Sequence, residues 1–213
     1  MTAIDIDDIK GLVGLISSLV EQRKNELIRL DGAVGDGDLG LTMSKGFRAM
    51  VEEAGTLAEP DVGKLLMKLG MSMAKAAPST MGTLVATGFM AGGKAVSGAT
   101  SLDPARFSAF FSAFVEGVMQ RGKSKPGEKT LLDVIHPAAQ ALAEAVTSGL
   151  TLEECAQRMY DAARTGYETS KGLVAQHGRA AYYGEQSRGK EDPGAAAALI
   201  IIKGMHDYVT GHT

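Results

Sequence analysis

Apolar positions recur at helical spacing from one end of the chain to the other. Ile6, Ile9, Leu12, Val13, Ile16 and Leu19 or Val20 keep the i, i+3, i+4, i+7 rhythm of a single buried face, which predicts a first helix from about Asp5 to Leu30. A loop, Asp31 to Leu39, separates it from a second helix over about Gly40 to Ala54. Glu59-Pro60 opens a third helix, since proline is welcome in a first turn, and this helix runs to about Ala77 before Pro78 breaks it. A glycine-rich fourth helix covers about Ser79 to Val96. Ser101 to Pro104 is a capped start for a fifth, which carries Phe107, Phe110, Phe111 and Phe114 and ends near Arg121.

A polar turn, residues 122–129, leads to a sixth helix from Thr130 to Thr147. The seventh spans Thr151 to about Leu173, with Thr151 and Glu154 placed for a capping box. The polar stretch 176–193 then precedes a last helix, Gly194 to about Val209, read as helix rather than strand from its extent. The pattern contains eight helices and no convincing strand, linker or internal repeat. It predicts one all-α domain over residues 1–213.

Composition sharpens this picture. Aromatic residues are 5% with no Trp, and Met is plentiful, which favours closely packed helices. The 27 glycines among 213 residues exceed the usual ~7% and are expected in loops, where glycine-rich backbone often holds phosphate. A net charge of −3 argues against general nucleic-acid or anionic-membrane binding. The lone Cys155 excludes an internal disulfide or thiolate zinc site and points to a reducing compartment. An acidic N-terminus and the lack of a long apolar run add to a cytoplasmic expectation.

The segment Asp31-Gly-Ala-Val-Gly-Asp36-Gly-Asp38-Leu-Gly40 carries the strongest chemical signal. In extended backbone Asp36 and Asp38 point to the same side, and Asp31 at the preceding helix end can turn toward them. Three converging carboxylates repel unless a hard cation joins them, and Mg2+ is the natural choice. Glycines that permit positive φ and the helix start at Gly40 add an anion-attracting N-terminus, so the parts suit a Mg2+–phosphate site. The plainer alternative makes these aspartates turn and cap residues. An EF-hand is excluded: counting from Asp36, the sixth position is Leu41 rather than Gly and the twelfth is Phe47 rather than Glu.

Residues 117–124 satisfy the Walker A pattern letter for letter, but a Phe/Ala-rich helix precedes them and Pro126-Gly127 follows, so the strand–loop–helix context is missing. Pro78 to Thr83 opens a helix with hydroxyls, either as a simple N-cap or as a ligand site. Residues 121–130 carry four bases and read equally as a solvated turn. The 178–194 loop, with Arg179, Arg188 and Lys190, is long enough to act as a lid or to be an exposed connection. His136, His177, His206 and His212 form no catalytic set, and Glu153 and Glu154 beside Cys155 disfavour its thiolate.

Three blocks, GDGDLGLTMSKGF, RGKSKPGEKTLLDV and GRAAYYGEQSRGKEDPGA, together resemble the L subunit of dihydroxyacetone kinase, the nucleotide-binding or DAK2-type domain, in order, nearly in spacing, and in chain length. The resemblance implies an eight-helix antiparallel barrel. It implies that Asp31, Asp36 and Asp38 hold two Mg2+ ions on the phosphates of ADP or ATP. Nucleotide contacts would come from Leu39, Gly40, Leu41 and Thr42, from Thr80 and Met81, from Gly122 and Leu131, from Arg179, and from Asp192, Pro193 and Gly194. Arg179 is a candidate charge stabiliser in catalysis. The family pattern has His and Asn where this chain has Leu39 and Thr42, and Ser where it has Met81.

The implied partner is a K subunit that holds dihydroxyacetone or a similar small ketose, with ATP or a PTS-type phosphoprotein as phosphoryl donor. Self-association into a homodimer is left open. A second reading, of another class, is a non-catalytic nucleotide-sensing subunit that docks on a transcription regulator.

Overall fold

The computed structural model describes residues 1–212. Nine α-helices follow in order: α1 (Ile6–Gln22), α2 (Lys24–Gly32), α3 (Leu39–Thr56), α4 (Val62–Ala76), α5 (Thr80–Ala95), α6 (Pro104–Gly122), α7 (Leu132–Thr147), α8 (Leu152–Ser170) and α9 (Pro193–Thr210). A 3₁₀ segment, Arg179–Ser187, lies between the last two. The first predicted helix is therefore broken: Arg23 leaves helical geometry at φ −97°, ψ 6°, while its guanidinium pairs with Glu26 of the next turn. Taken together, α1 and α2 are the first of the eight expected helices.

Local chemistry sets most of the starts. Asp5 and Asp8 form a reciprocal capping box on α1, as Thr151 and Glu154 do on α8. Asp61, Ser79, Asp103 and Asp192 cap α4, α5, α6 and α9 with their side chains, and proline follows the last two in the first turn.

Each helix packs against its successor, α1 lies against α3, and α9 returns to α1, so the helices close into a ring. The interior is a single apolar cluster, with Phe47, Phe89, Phe107 and Phe111 fully buried in it. Burial of such side chains stabilises by roughly 1.5–3 kcal/mol each. Much of the glycine excess lies inside helices rather than in loops, which corrects the sequence expectation. A side chain on Gly63 would strike the Gly93 carbonyl, and one on Gly93 would lie 2.6 Å from the Gly63 carbonyl. These glycines let α4 and α5 approach backbone to backbone.

The alternating direction of neighbouring helices sorts the connections between two rims. One rim holds the chain start, 57–61 and 96–103, tied by mutual Ile4–Leu102 backbone bonds and by Val62 N–H donating to the Ala99 carbonyl at 2.8 Å. The other collects 33–38, 77–79, 123–131 and 171–192. Among the described residues, no helix is long and apolar enough to cross a membrane.

Candidate functional site

The α2–α3 junction brings Asp31, Asp36 and Asp38 together, each offering a carboxylate oxygen within 4.8 Å of the others. Asp31 stands in the last turn of α2, Asp36 in the turn, and Asp38 at the N-cap of α3. Asp38 makes no capping bond with its own side chain. Asp31 supplies one instead, accepting from the Leu39 N–H at 3.1 Å. The negative side chain thus sits on the positive end of α3.

Each glycine of the segment has a distinct role. Gly37 takes a left-handed φ of +74°, which turns the chain from Asp36 to Asp38. A Cβ on Gly35 would lie 2.5 Å from Asp31 Oδ1, so the missing side chain is what lets that carboxylate turn inward. A Cβ on Gly40 would strike the Lys24 carbonyl, so glycine there seats α3 against α2.

Partial loss of water around this otherwise exposed residue, then the charges of Asp36 and Asp31, push the Asp38 carboxyl above its ordinary range, and Arg179 opposes them. Arg179 reaches across from the 171–192 connection and pairs with Asp36 at 2.6 Å between Nη1 and Oδ2. Three oxygen anions with one cation leave an acidic, all-oxygen donor set. That chemistry fits a hard divalent ion such as Mg2+ and not a soft one.

The other sequence-derived candidates lie on the same rim. Thr80 is exposed at the start of α5, where the Ser79 hydroxyl accepts from Gly82 N–H at 3.1 Å. Gly122 ends α6 beside Leu84 of α5. Leu131 and Gly194 approach each other, since a Cβ on Gly194 would be 3.6 Å from the Leu131 nitrogen. Asp192 caps α9 through the Ala195 N–H at 2.7 Å, and Pro193 is buried beside it. Leu41 projects outward, 57% exposed, and Thr42 is half-buried.

Two candidates differ from the sequence picture in what they can present. The side chains of Leu39 and Met81 belong to the apolar core, so at the rim these residues offer backbone rather than side-chain groups. Residues 117–122 are the end of α6 and Lys123 adopts a left-handed cap, so the Walker A match has no phosphate-cradling geometry. His177 pairs with Glu128 at 2.6 Å, joining two loops of the rim, and His136 is half-buried in α7.

Lys129 is a rim residue that the basic pattern of 121–130 does not single out: it is 3% exposed and its ammonium is fully engaged. Its position directly before Thr130-Leu131-Leu132, at the start of an apolar helix, was the available signal.

The model of the DAK2 domain matches residues 33–207. The chain is 31% identical over 177 residues to the ADP-binding subunit DhaL of the PEP-dependent dihydroxyacetone kinase of Escherichia coli, covering 83% of this chain and 84% of that one. It is 35% identical over 187 residues to the corresponding subunit of PEP-dependent dihydroxyacetone kinase 1 of Listeria innocua, covering 87% and 88%. The crystal structure of the dihydroxyacetone kinase from C. freundii in complex with AMP-PNP and Mg2+ superposes with a TM-score of 0.72 at 22% identity. That match covers 93% of this chain and 33% of the longer one, and it establishes a shared fold.

Proposed function

The chain belongs to the DAK2-domain family, and from that premise we propose that it is the ADP/ATP–Mg2+-binding subunit of a dihydroxyacetone-kinase-type phosphotransferase. It delivers a phosphoryl group to dihydroxyacetone or a similar small ketose held by a partner K subunit. The observation that carries this reading is the convergence of Asp31, Asp36 and Asp38 at the start of α3, with Arg179 paired to Asp36. The names of the Escherichia coli and Listeria innocua relatives, both ADP-binding subunits of such kinases, support it.

In this reading Asp31, Asp36 and Asp38 hold two Mg2+ ions. Bound there, the metal would neutralise charge on the nucleotide's terminal phosphates. The backbone of Leu39 to Thr42 presents N–H groups at the positive end of a helix, a setting that favours phosphate oxygens. Thr80, Met81, Gly122, Leu131 and Asp192 to Gly194 line the rest of the nucleotide. Arg179 contributes charge where the phosphoryl group leaves. Arg179 pairs with Asp36, and because both partners are exposed it would be free to exchange that carboxylate for phosphate oxygens when nucleotide enters.

Transfer breaks the bond from the γ-phosphorus to its bridging oxygen and forms one to the ketose hydroxyl oxygen, whose proton passes to a base on the partner. ADP is left on this subunit. The phosphodonor is then either fresh ATP or a phosphorylated PTS-type protein that recharges the bound ADP.

Calorimetric titration of ADP and ATP with Mg2+, and again with EDTA, tests the site, after a denatured sample has been searched for copurified nucleotide. Metal-dependent binding is expected. Trapped, non-exchanging ADP would identify a protein donor and freely exchanging ATP an ATP-using kinase. Absence of binding under both conditions would refute the reading.

A further inference from the structure

A single buried ammonium gathers both ends of the connection that carries Arg179. Lys129 lies in the α6–α7 turn with a left-handed φ of +56°. Its Nζ donates to the carbonyls of Lys190 at 2.7 Å, Ser170 at 2.9 Å and Lys171 at 3.1 Å. An ammonium has three donors and no acceptor, so its capacity is filled. Ser170 and Lys171 end α8, where helix carbonyls lack intrahelical partners, and Lys190 lies just before α9. The three acceptors are therefore the two ends of the excursion between these helices, and Arg179 is inside it.

The turn that delivers Lys129 is itself ordered. The Asp133 carboxylate accepts from Gly127 N–H at 2.6 Å and from Thr130 N–H at 2.7 Å. Gln176 N–H donates to the Glu128 carbonyl at 3.2 Å and Gly189 N–H to the Lys171 carbonyl at 2.8 Å, which tightens the same junction. Burial lowers the Lys129 pKa, while the nearby carboxylates of Asp192 and Asp133 favour its charged form. Arginine would not serve in its place, because a planar guanidinium cannot aim donors at three carbonyls converging on one point.

We infer that Lys129 is a positioning residue for the nucleotide site: by clamping the carbonyls of Ser170, Lys171 and Lys190 it holds the Arg179-bearing connection over the aspartate rim. The inference rests on the nucleotide-binding reading above and adds a residue that touches neither metal nor nucleotide.

The test uses the full chain. In Lys129→Ala, ADP–Mg2+ should dissociate on the order of 10- to 100-fold faster, the range for losing a residue that supports direct ligands. Propylammonium chloride replaces the deleted atoms and should restore slow dissociation with saturation, where sodium chloride at equal ionic strength does not. Lys129→Arg should remain fast. Wild-type dissociation in Lys129→Ala, or equal rescue by both salts, overturns the inference. A wild-type protein that binds no ADP–Mg2+ refutes the functional reading instead.

The clamp has its own readout, should the variants fail to fold. Wild-type protein labelled with 15N-lysine should show one slowly exchanging ammonium resonance at neutral pH. If every lysine ammonium exchanges rapidly, the clamp does not exist in solution and the inference fails.

Discussion

Asp38→Asn separates the two demands on the aspartate cluster. Carboxylate oxygens of Asp31, Asp36 and Asp38 lie within 4.8 Å of one another. Two unit charges at that distance repel by about 0.9 kcal/mol at the dielectric of water and about 3.5 kcal/mol at an effective dielectric of 20. Asp36 and Asp38 are exposed, so the lower figure applies, and Arg179 already offsets the charge of Asp36. One uncompensated repulsion is left. Asp38 makes no capping bond, so asparagine forfeits none.

The variant should be about 1 kcal/mol more stable than wild type to urea in EDTA at low salt. Because the Asp38 carboxyl is raised above 3.8 in the fold, wild type loses stability as pH climbs through that raised value. The gain is therefore absent in acid, present at neutral pH and smaller in high salt. With Mg2+ and ADP the order should reverse. Wild type gains about 2.7 kcal/mol at a ligand concentration 100 times its Kd, while a neutral amide holds the metal poorly and gains little. Equal ADP–Mg2+ affinity for the two proteins, or a variant less stable than wild type in EDTA, would refute the reasoning.

Three further outcomes are expected. Gly35→Ala puts a methyl group 2.5 Å from Asp31 Oδ1 and should weaken metal-dependent ADP binding on the order of 10-fold by calorimetry; unchanged affinity would remove Gly35 from the site. Arg179→Gln loses an exposed ion pair, so unfolding should shift by under about 1 kcal/mol. Phosphoryl transfer with the partner subunit should nevertheless fall on the order of 100-fold, and full turnover would deny Arg179 its role. Burial pushes the Asp192 carboxyl from 3.8 up to about 7, so the folded state binds the extra proton between those values. Wild type should lose stability relative to Asp192→Asn as pH rises through that interval, and parallel urea midpoints across it would contradict the assignment.

What the sequence disclosed depended on how local each cause was. Helix starts at Thr151 and at Asp103-Pro104 are short-range capping chemistry and appear where the sequence places them. The aspartates fall within a segment of eight residues, so their convergence needed one turn. The Arg23 break carries no Pro or Gly, and apolar periodicity runs on through Leu27 and Leu30, so nothing in the pattern marks it. The Arg179–Asp36 pair joins residues far apart in sequence and exists only because the ring closes. Lys129 was hidden for a related reason, since a lysine among lysines looks solvated until the carbonyls around it are placed. Gly63 and Gly93 fall within helices the sequence predicts, but the backbone contact they permit appears only when those two helices are brought into register.

The first and last described residues lie on the rim away from the aspartates, with the Tyr208 hydroxyl donating to Asp8 at 3.1 Å where α9 meets α1. A 17-residue helix such as α1 is about 26 Å long, so a tether at either terminus would emerge roughly that far from the aspartates. Appended polypeptide would therefore leave the aspartate rim uncovered. On the proposed function, such a module would serve either as a separate subunit that finds its partner by diffusion or as a domain covalently leashed to it at a fixed local concentration. Such a geometry suits a fold that is matched both by ADP-binding subunits of about this length and by a segment of a much longer kinase chain.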